Sequence, residues 1–215
     1  MKKIFVAAAV CAAATSMPAF AQVFSGPVIG AQLSRDAFEV KTEGTDIGGA
    51  ALSLDGISAN GIGGGVYVGY DYAFSDAAFF GVEANLNLSS ASASAKVEFE
   101  GDSIAAKIQT RESFGASARL GYMIAEGTAL YARGGWQSTK FKLSVNGGGE
   151  GFTAKDTQDA LVYGAGLETR IDAQTSLRVE YLIEDFGSAG LNRDFDINGI
   201  RVDNNKLSLG VSYRF

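Results

Sequence analysis

The 215-residue sequence contains no histidine, one cysteine and two prolines. Hydrolases and proteases commonly rely on histidine as the general base, so an enzyme of that type is not expected. The single Cys11 precedes an export cleavage motif, which leaves the mature chain without disulfides and without the usual ligands of transition-metal sites. The sequence therefore predicts neither an enzyme nor a bound cofactor or metal.

The sequence also lacks the apolar run of roughly 20 residues that a membrane-spanning helix needs. A charged start, a short apolar run over residues 4–14 and an A-x-A motif ending at Ala21 have the order of a secretory signal. We expect residues 1–21 to be a cleaved signal peptide and residues 22–215 to form a single β-barrel domain. In an alternative interpretation, which the bulky residue before it disfavours, Cys11 carries a lipid.

Basic residues are the minority, with 18 Lys and Arg against 24 Asp and Glu, a net charge of −6. Removal of the two lysines in the signal would make the exported chain more acidic still. An acidic surface repels phosphate backbones, so a nucleic-acid partner is not expected.

What the sequence does contain is alternation. Apolar residues alternate with glycine, polar or charged residues in eight segments of about 9–11 residues, the length of a strand that crosses a bilayer at a tilt. The segments centre on residues 29–34, 66–74, 80–88, 113–122, 130–137, 161–171, 177–183 and 206–215.

The connections between these segments alternate as well. Three are short, near residues 75–76, 125–127 and 172–175, and four are long, roughly residues 35–61, 89–109, 138–158 and 184–204. This pattern predicts an all-β fold, an eight-stranded antiparallel transmembrane up-and-down β-barrel. A soluble barrel with its apolar face inward has the same period. Aromatic residues near the short turns favour the membrane barrel: Tyr72, Phe74, Phe79, Phe80, Tyr122, Tyr213 and Phe215.

Two stretches carry a family resemblance. Residues 164–187, GAGLETRIDAQTSLRVEYLIEDFG, resemble the penultimate hairpin of the opacity-type, OmpA- and OmpX-like outer-membrane β-barrel family, in particular alphaproteobacterial outer-membrane immunogenic proteins of the porin family. The final SYRF is similar to the C-terminal signal of that family. The resemblance implies a bacterial outer-membrane location and recognition of Tyr213 and Phe215 by the barrel-assembly machinery. Alternatively, Phe215 serves only as an interfacial anchor.

The polar faces of the segments carry charge. A charge facing lipid costs about 2–4 kcal/mol at the bilayer midplane, so we expect these residues in the lumen. The predicted lumen network has seven bases and four acids: Asp71, Glu83, Arg111, Arg119, Arg133, Glu168, Arg170, Arg178, Glu180, Lys206 and Arg214. Buried charges must pair, which predicts a plug. A gated, weakly anion-preferring pore is the alternative.

The last long connection offers two interpretations. Residues 194–199 match the first half of a calcium loop, but Asn205 stands where such a loop needs a bidentate glutamate. Alternatively, Asn198 and Gly199 form a type I′ turn of a hairpin in which Asp196 faces Arg201. The hairpin accounts for more of the residues and is the preferred prediction.

Together these features predict a structural and surface-interaction barrel that contributes to envelope integrity. Its long extracellular loops are expected to contact outer-membrane lipid, lipopolysaccharide or host surface molecules. The alternative function is a small passive porin-like channel.

Overall fold

The computed structural model of the protein describes residues 24–42, 46–47, 50–51, 58–99, 102–147, 150–186 and 200–215. The predicted signal peptide and the turn residues Asp196, Asn198 and Gly199 lie outside them. Arg201 is described only in its backbone, where it pairs with Lys41. No helix within the described ranges is long and apolar enough to cross a membrane.

The described residues form strands connected mostly by tight turns. The strands are β1 (Gly26–Thr42), β2 (Asp46–Ile47), β3 (Ala50–Ala51), β4 (Ser58–Ala73), β5 (Ala78–Ser89), β6 (Ser92–Phe99), β7 (Asp102–Ala125), β8 (Thr128–Gly147), β9 (Glu150–Arg170), β10 (Thr175–Asp185) and β11 (Ile200–Arg214).

These strands close into an antiparallel barrel. β1 pairs with β11 on one side and with β4 on the other, so the sheet has no free edge along its wall. β5 and β6 occupy the same place in the wall, one after the other, and both pair with β7. Over the described residues the wall therefore has eight strands, as predicted, and β2 and β3 form a separate short ladder.

Side-chain burial alternates along each wall strand and is polar on the inside. Among the described residues, 24 polar or charged side chains are buried against 13 hydrophobic ones, while large apolar side chains such as Leu33, Leu86 and Leu209 are more than half exposed. A soluble barrel would show the reverse distribution. The apolar faces of the segments therefore point outward, which rules out the soluble alternative.

Most aromatic residues near the short turns belong to this outer face. Tyr72, Phe74 and Tyr122 are more than half exposed, and the rings of Tyr213 and Phe215 meet edge to face at 5.1 Å. Phe79 was expected in this group, but it is only 1% exposed and faces the lumen. Its position next to the outward Phe80 fixes this direction, because adjacent residues of a strand point to opposite faces.

Several of the predicted long loops are continuations of the wall. The β6–β7 pairing extends to Phe99 opposite Asp102, and the β8–β9 pairing extends to Gly147 opposite Glu150. We call this end of the barrel the hairpin end and the opposite one the turn end. At the turn end, Asp172 accepts hydrogen bonds from two backbone N–H groups that follow it, each 2.8 Å long. These bonds fix the β9–β10 turn.

Candidate functional site

One continuous set of ion pairs crosses the middle of the lumen. It is formed by side chains from seven of the wall strands, and each of its residues is at most 8% exposed. We call it the central network, and its members are Asp71, Glu83, Glu168, Glu180, Arg119, Arg133, Arg178 and Arg214. Four carboxylates and four guanidinium groups make the central network neutral.

Glu168 lies within 4 Å of three of the four guanidinium groups of the network. Its Oε2 accepts from Arg119 at 2.7 Å and from Arg178 at 3.3 Å. Its Oε1 accepts from the Ser176 hydroxyl at 2.6 Å and lies 3.6 Å from the nearest nitrogen of Arg214. Glu168 itself is fully buried. Three positive charges therefore share this one carboxylate.

The network continues from Arg178 toward the hairpin end. Arg178 donates to Glu83 at 2.7 Å, and the other oxygen of Glu83 lies 2.8 Å from Arg133. Arg133 also donates to both oxygens of Glu180, at 3.0 and 3.1 Å. Toward the turn end, Asp71 accepts from Arg119 and Arg214, so the alternation of acid and base is maintained along the whole network.

Aromatic rings cover the faces of the guanidinium groups. The Arg178 guanidinium lies 4.3 Å from the ring centre of Tyr67 and 5.8 Å from that of Tyr131. Such stacking favours a buried cation electrostatically while its N–H groups remain free for carboxylates. Arg119 lies 5.2 Å from the ring centre of Phe79 in the same way.

Glycines of neighbouring strands make room for these rings. Tyr131 lies directly opposite Gly166, and a Cβ added to that glycine would be 2.4 Å from the tyrosine ring. Tyr67 lies opposite Gly30 with a Cβ distance of 2.2 Å. The absence of a side chain at these two glycines therefore lets each ring lie flat against the wall.

A second charged group, the upper cluster, lies closer to the hairpin end and consists of Asp36, Glu184 and Lys206. Lys206 donates to Glu184 and lies 3.8 Å from Asp36. Glu184 also accepts from the side-chain amides of Gln137 at 2.9 Å and Asn204 at 2.8 Å. With two acids and one base, the upper cluster carries one net negative charge.

Apolar side chains close the lumen above and below these charges. The turn-end cap consists of Phe24, Phe79, Met123, Ala129 and Tyr131. The hairpin-end cap consists of Phe38, Ala91, Phe141, Ala160 and Phe186. The three phenylalanine rings of the hairpin-end cap have centres 5.5–6.3 Å apart.

Between the two charged groups lies a small polar cavity of about 10 Å³. Gln32, Asn85, Asn87, Gln137 and Lys206 are among its lining residues. This volume holds about one water molecule. The middle of the lumen is thus packed by protein side chains rather than by solvent.

The structure buries nine of the eleven predicted lumen residues, eight in the central network and Lys206 in the upper cluster. Arg111 does not join them, because a β-bulge between Thr110 and Ser113 turns its side chain to the exposed outer surface. Arg170 lies at the turn end, where it donates to the backbone carbonyls of Asp172 and Ala173.

Two buried acids were missed by the sequence prediction. Asp36 and Glu184 were assigned to long loops, yet each continues the inward alternation of its strand. With them, the buried charged groups among the described residues are six acids and five bases, so the expected excess of bases is wrong. No group of three or more metal-ligating side chains occurs in the part of the chain that the structure describes.

A closed barrel with a lipid-facing apolar exterior, a polar packed interior and short turns at one end defines a class, the small outer-membrane β-barrel proteins. The chain belongs to the outer membrane protein beta-barrel domain family, whose pattern it matches over residues 7–215. The protein is thus a bacterial outer-membrane protein.

The chain is similar to several individual proteins. The chain is 31% identical to a 31 kDa outer-membrane immunogenic protein of Brucella melitensis biotype 1 over 170 residues, which span 76% of this chain and 70% of that protein. It is 32% identical to outer membrane protein A of Shigella flexneri over 123 residues, 56% of this chain and 33% of that protein. The crystal structure of Ail, the attachment invasion locus protein of Yersinia pestis, is similar at 19% identity and a TM-score of 0.45, covering 89% of this chain and all of that one.

Proposed function

We propose that the protein is a sealed structural barrel of the outer membrane that supports envelope integrity and presents its long hairpins for surface contacts. The central network is the observation that carries this proposal. A lumen filled by eight mutually paired charges has no room for a solute.

The two apolar caps support the same role. An ion that entered the lumen would first have to pass a cluster of phenylalanine rings, where a charge loses its hydration. A small passive channel is the second candidate, and the packed interior weighs against it. If a path did open, the net negative charge of the buried groups would favour cations over the anions expected from the sequence.

A non-enzymatic role is part of the proposal. A general base needs a carboxylate or imidazole that is free to accept a proton. The four carboxylates of the central network are instead held by guanidinium groups, which occupy their oxygens.

We further infer that the signal peptide directs export and that the assembly machinery recognises the apolar face of β11. The support is that β11 closes the barrel: the rings of Tyr213 and of Phe215, which directly follows β11, meet edge to face, and the Phe215 N–H donates to the Pro27 carbonyl of β1 at 3.1 Å. A Phe215→Ser variant should accumulate in the periplasm, whereas unchanged surface levels at native expression would contradict this role.

The experiment that tests the main proposal is deletion of the gene followed by two complementations. Loss of the protein should increase sensitivity to detergent and to hydrophobic antibiotics. The intact protein should restore resistance, and so should a variant whose β6–β7 and β8–β9 hairpins are shortened. If only the intact protein restores resistance, the hairpins and not the barrel carry the envelope role. A deletion strain with normal resistance would refute that role.

A further inference from the structure

An outward-facing group of bases lies on β7, β8 and β9 just beyond the apolar belt. We call it the basic cluster, and it consists of Arg111, Lys140, Lys142 and Lys155. Its members line a surface groove of about 450 Å³. The groove also contains the acids Glu112 and Asp156, which leaves a local charge of +2 on a chain whose net charge is −6.

The backbone register concentrates the positive charge in an unfavourable way. Lys142 and Lys155 are direct cross-strand partners in β8 and β9. Like charges directly opposite each other destabilise a sheet. An anion held between the two ammonium groups would turn this repulsion into a binding site.

A bulge adds a further base to the same face. At the register shift in β7, the two residues Arg111 and Glu112 stand opposite the single Lys140. A bulge of this kind re-aims a side chain and is common next to functional sites. Glu112 pairs with Lys140 at 3.0 Å, and the hydrogen bond from Lys140 is the main reason that the pKa of Glu112 lies below its ordinary value. The other acid, Asp156, accepts from the backbone N–H of its neighbour Thr157.

The position of the cluster along the wall indicates the type of anion. Along the wall toward the hairpin end, Glu112 comes shortly after Phe114 in β7, and Lys140 comes shortly after Trp136 in β8. The outward rings of Phe114 and Trp136 meet edge to face at 5.5 Å. Tryptophan and other aromatic residues mark the boundary between acyl chains and headgroups. The groove therefore opens at headgroup level, at the hairpin end of the barrel.

We infer that the basic cluster binds the phosphorylated sugar headgroup of a lipopolysaccharide molecule in the outer leaflet. The acyl chains of such a lipid lie along Phe114, Trp136 and the apolar face below, while its phosphates lie between Lys142 and Lys155. A shallow site is sufficient for such a ligand, because its acyl chains anchor it in the membrane and hold its headgroup at the level of the groove. This inference rests on the proposed envelope role and names a lipid contact through which the barrel performs it.

The test measures binding of bisphosphorylated lipid A to the purified, folded barrel in mixed detergent micelles. A sample of the same lipid A from which phosphatase has removed the phosphates provides the comparison. We expect the dephosphorylated lipid and the Lys142→Gln/Lys155→Gln variant each to lower affinity by roughly tenfold or more, since charge-assisted hydrogen bonds to phosphate are lost. Arg35→Gln removes an exposed base from β1 and should keep wild-type affinity.

Heat-modifiable gel migration of every variant verifies that the barrel is folded before binding is compared. Equal affinity of the double variant and the wild type, or equal affinity for both lipid samples, would overturn the inference. So would binding of a soluble sulfated glycan in place of lipid A, because the cluster would then recognise a glycan outside the membrane.

This measurement is independent of the envelope test. If the deletion strain is sensitive but the double variant binds lipid A normally, only the site is refuted. If lipid A binds as expected but the deletion strain is fully resistant, the site stands and the proposed envelope role fails.

Discussion

Replacing Glu168 with glutamine tests the central network at the carboxylate that three guanidinium groups share. The substitution keeps the size of the side chain but removes a charge that pairs with Arg119 at 2.7 Å and Arg178 at 3.3 Å, with Arg214 nearby. Four guanidinium groups would then face three carboxylates in a space closed to water. Breaking a buried pair by removing one partner costs about 3–5 kcal/mol, so we expect a loss of that size in the free energy of unfolding.

The assay is urea unfolding of the barrel in lipid vesicles, followed by the different gel migration of folded and unfolded protein. Glu112→Gln is the matched control, because it removes the acid of the exposed pair with Lys140, in which both side chains are 55% exposed. That change should leave the free energy of unfolding nearly unchanged, since exposed pairs contribute little. Equal losses for the two variants would refute the view that the lumen is a closed, poorly hydrated interior.

Three further results are expected. In planar bilayers the wild-type protein should show no steady current, and large, stable open-channel currents would contradict the sealed lumen. Gly166→Val should destabilise the barrel by forcing the Tyr131 ring away, whereas Gly134→Val, where an added Cβ has nothing within 4 Å, should unfold at nearly the same urea concentration as wild type. The backbone N–H groups of Gln174 and Thr175 lower the pKa of Asp172. The stabilising effect of Asp172 is therefore full above its ordinary pKa of about 3.9 and is lost as the pH falls through the lowered value, so the stability difference between wild type and Asp172→Ala should shrink over that range.

The period-two pattern was sufficient to predict the barrel because each inward position of a wall strand follows from its neighbours. Glu83, Glu168 and Glu180 all face the lumen as their parity requires. Asp36 and Glu184 obey the same parity, but they were placed in loops because the prediction ended the strands too early. If the predicted strands had been extended by one or two residues, both acids would have been assigned to the lumen.

Other features follow from geometry that a pattern of single residues does not contain. Arg111 has the charge and the sequence position expected of a lumen residue, but a β-bulge with one extra residue turns its side chain to the outside of the barrel. The meeting of Phe38 and Phe186 in the hairpin-end cap depends on strands that are far apart in the sequence. A local period predicts the face of a strand but not which distant side chains share the interior.

The distribution of the buried charges over the strands has a consequence for the order of assembly. The charged side chains that β11 buries, among those the structure describes, are both cations, Lys206 and Arg214, and β11 pairs with both β10 and β1. Without β11, the buried charged groups in the described part of the chain are six acids and three bases, so an unclosed barrel would hold three uncompensated negative charges in its interior. Pairing of β11 therefore neutralises buried carboxylates as well as closing the hydrogen-bonded wall. A misaligned β11 would displace both cations from their carboxylates at once, which gives the native register an advantage that backbone pairing alone does not supply.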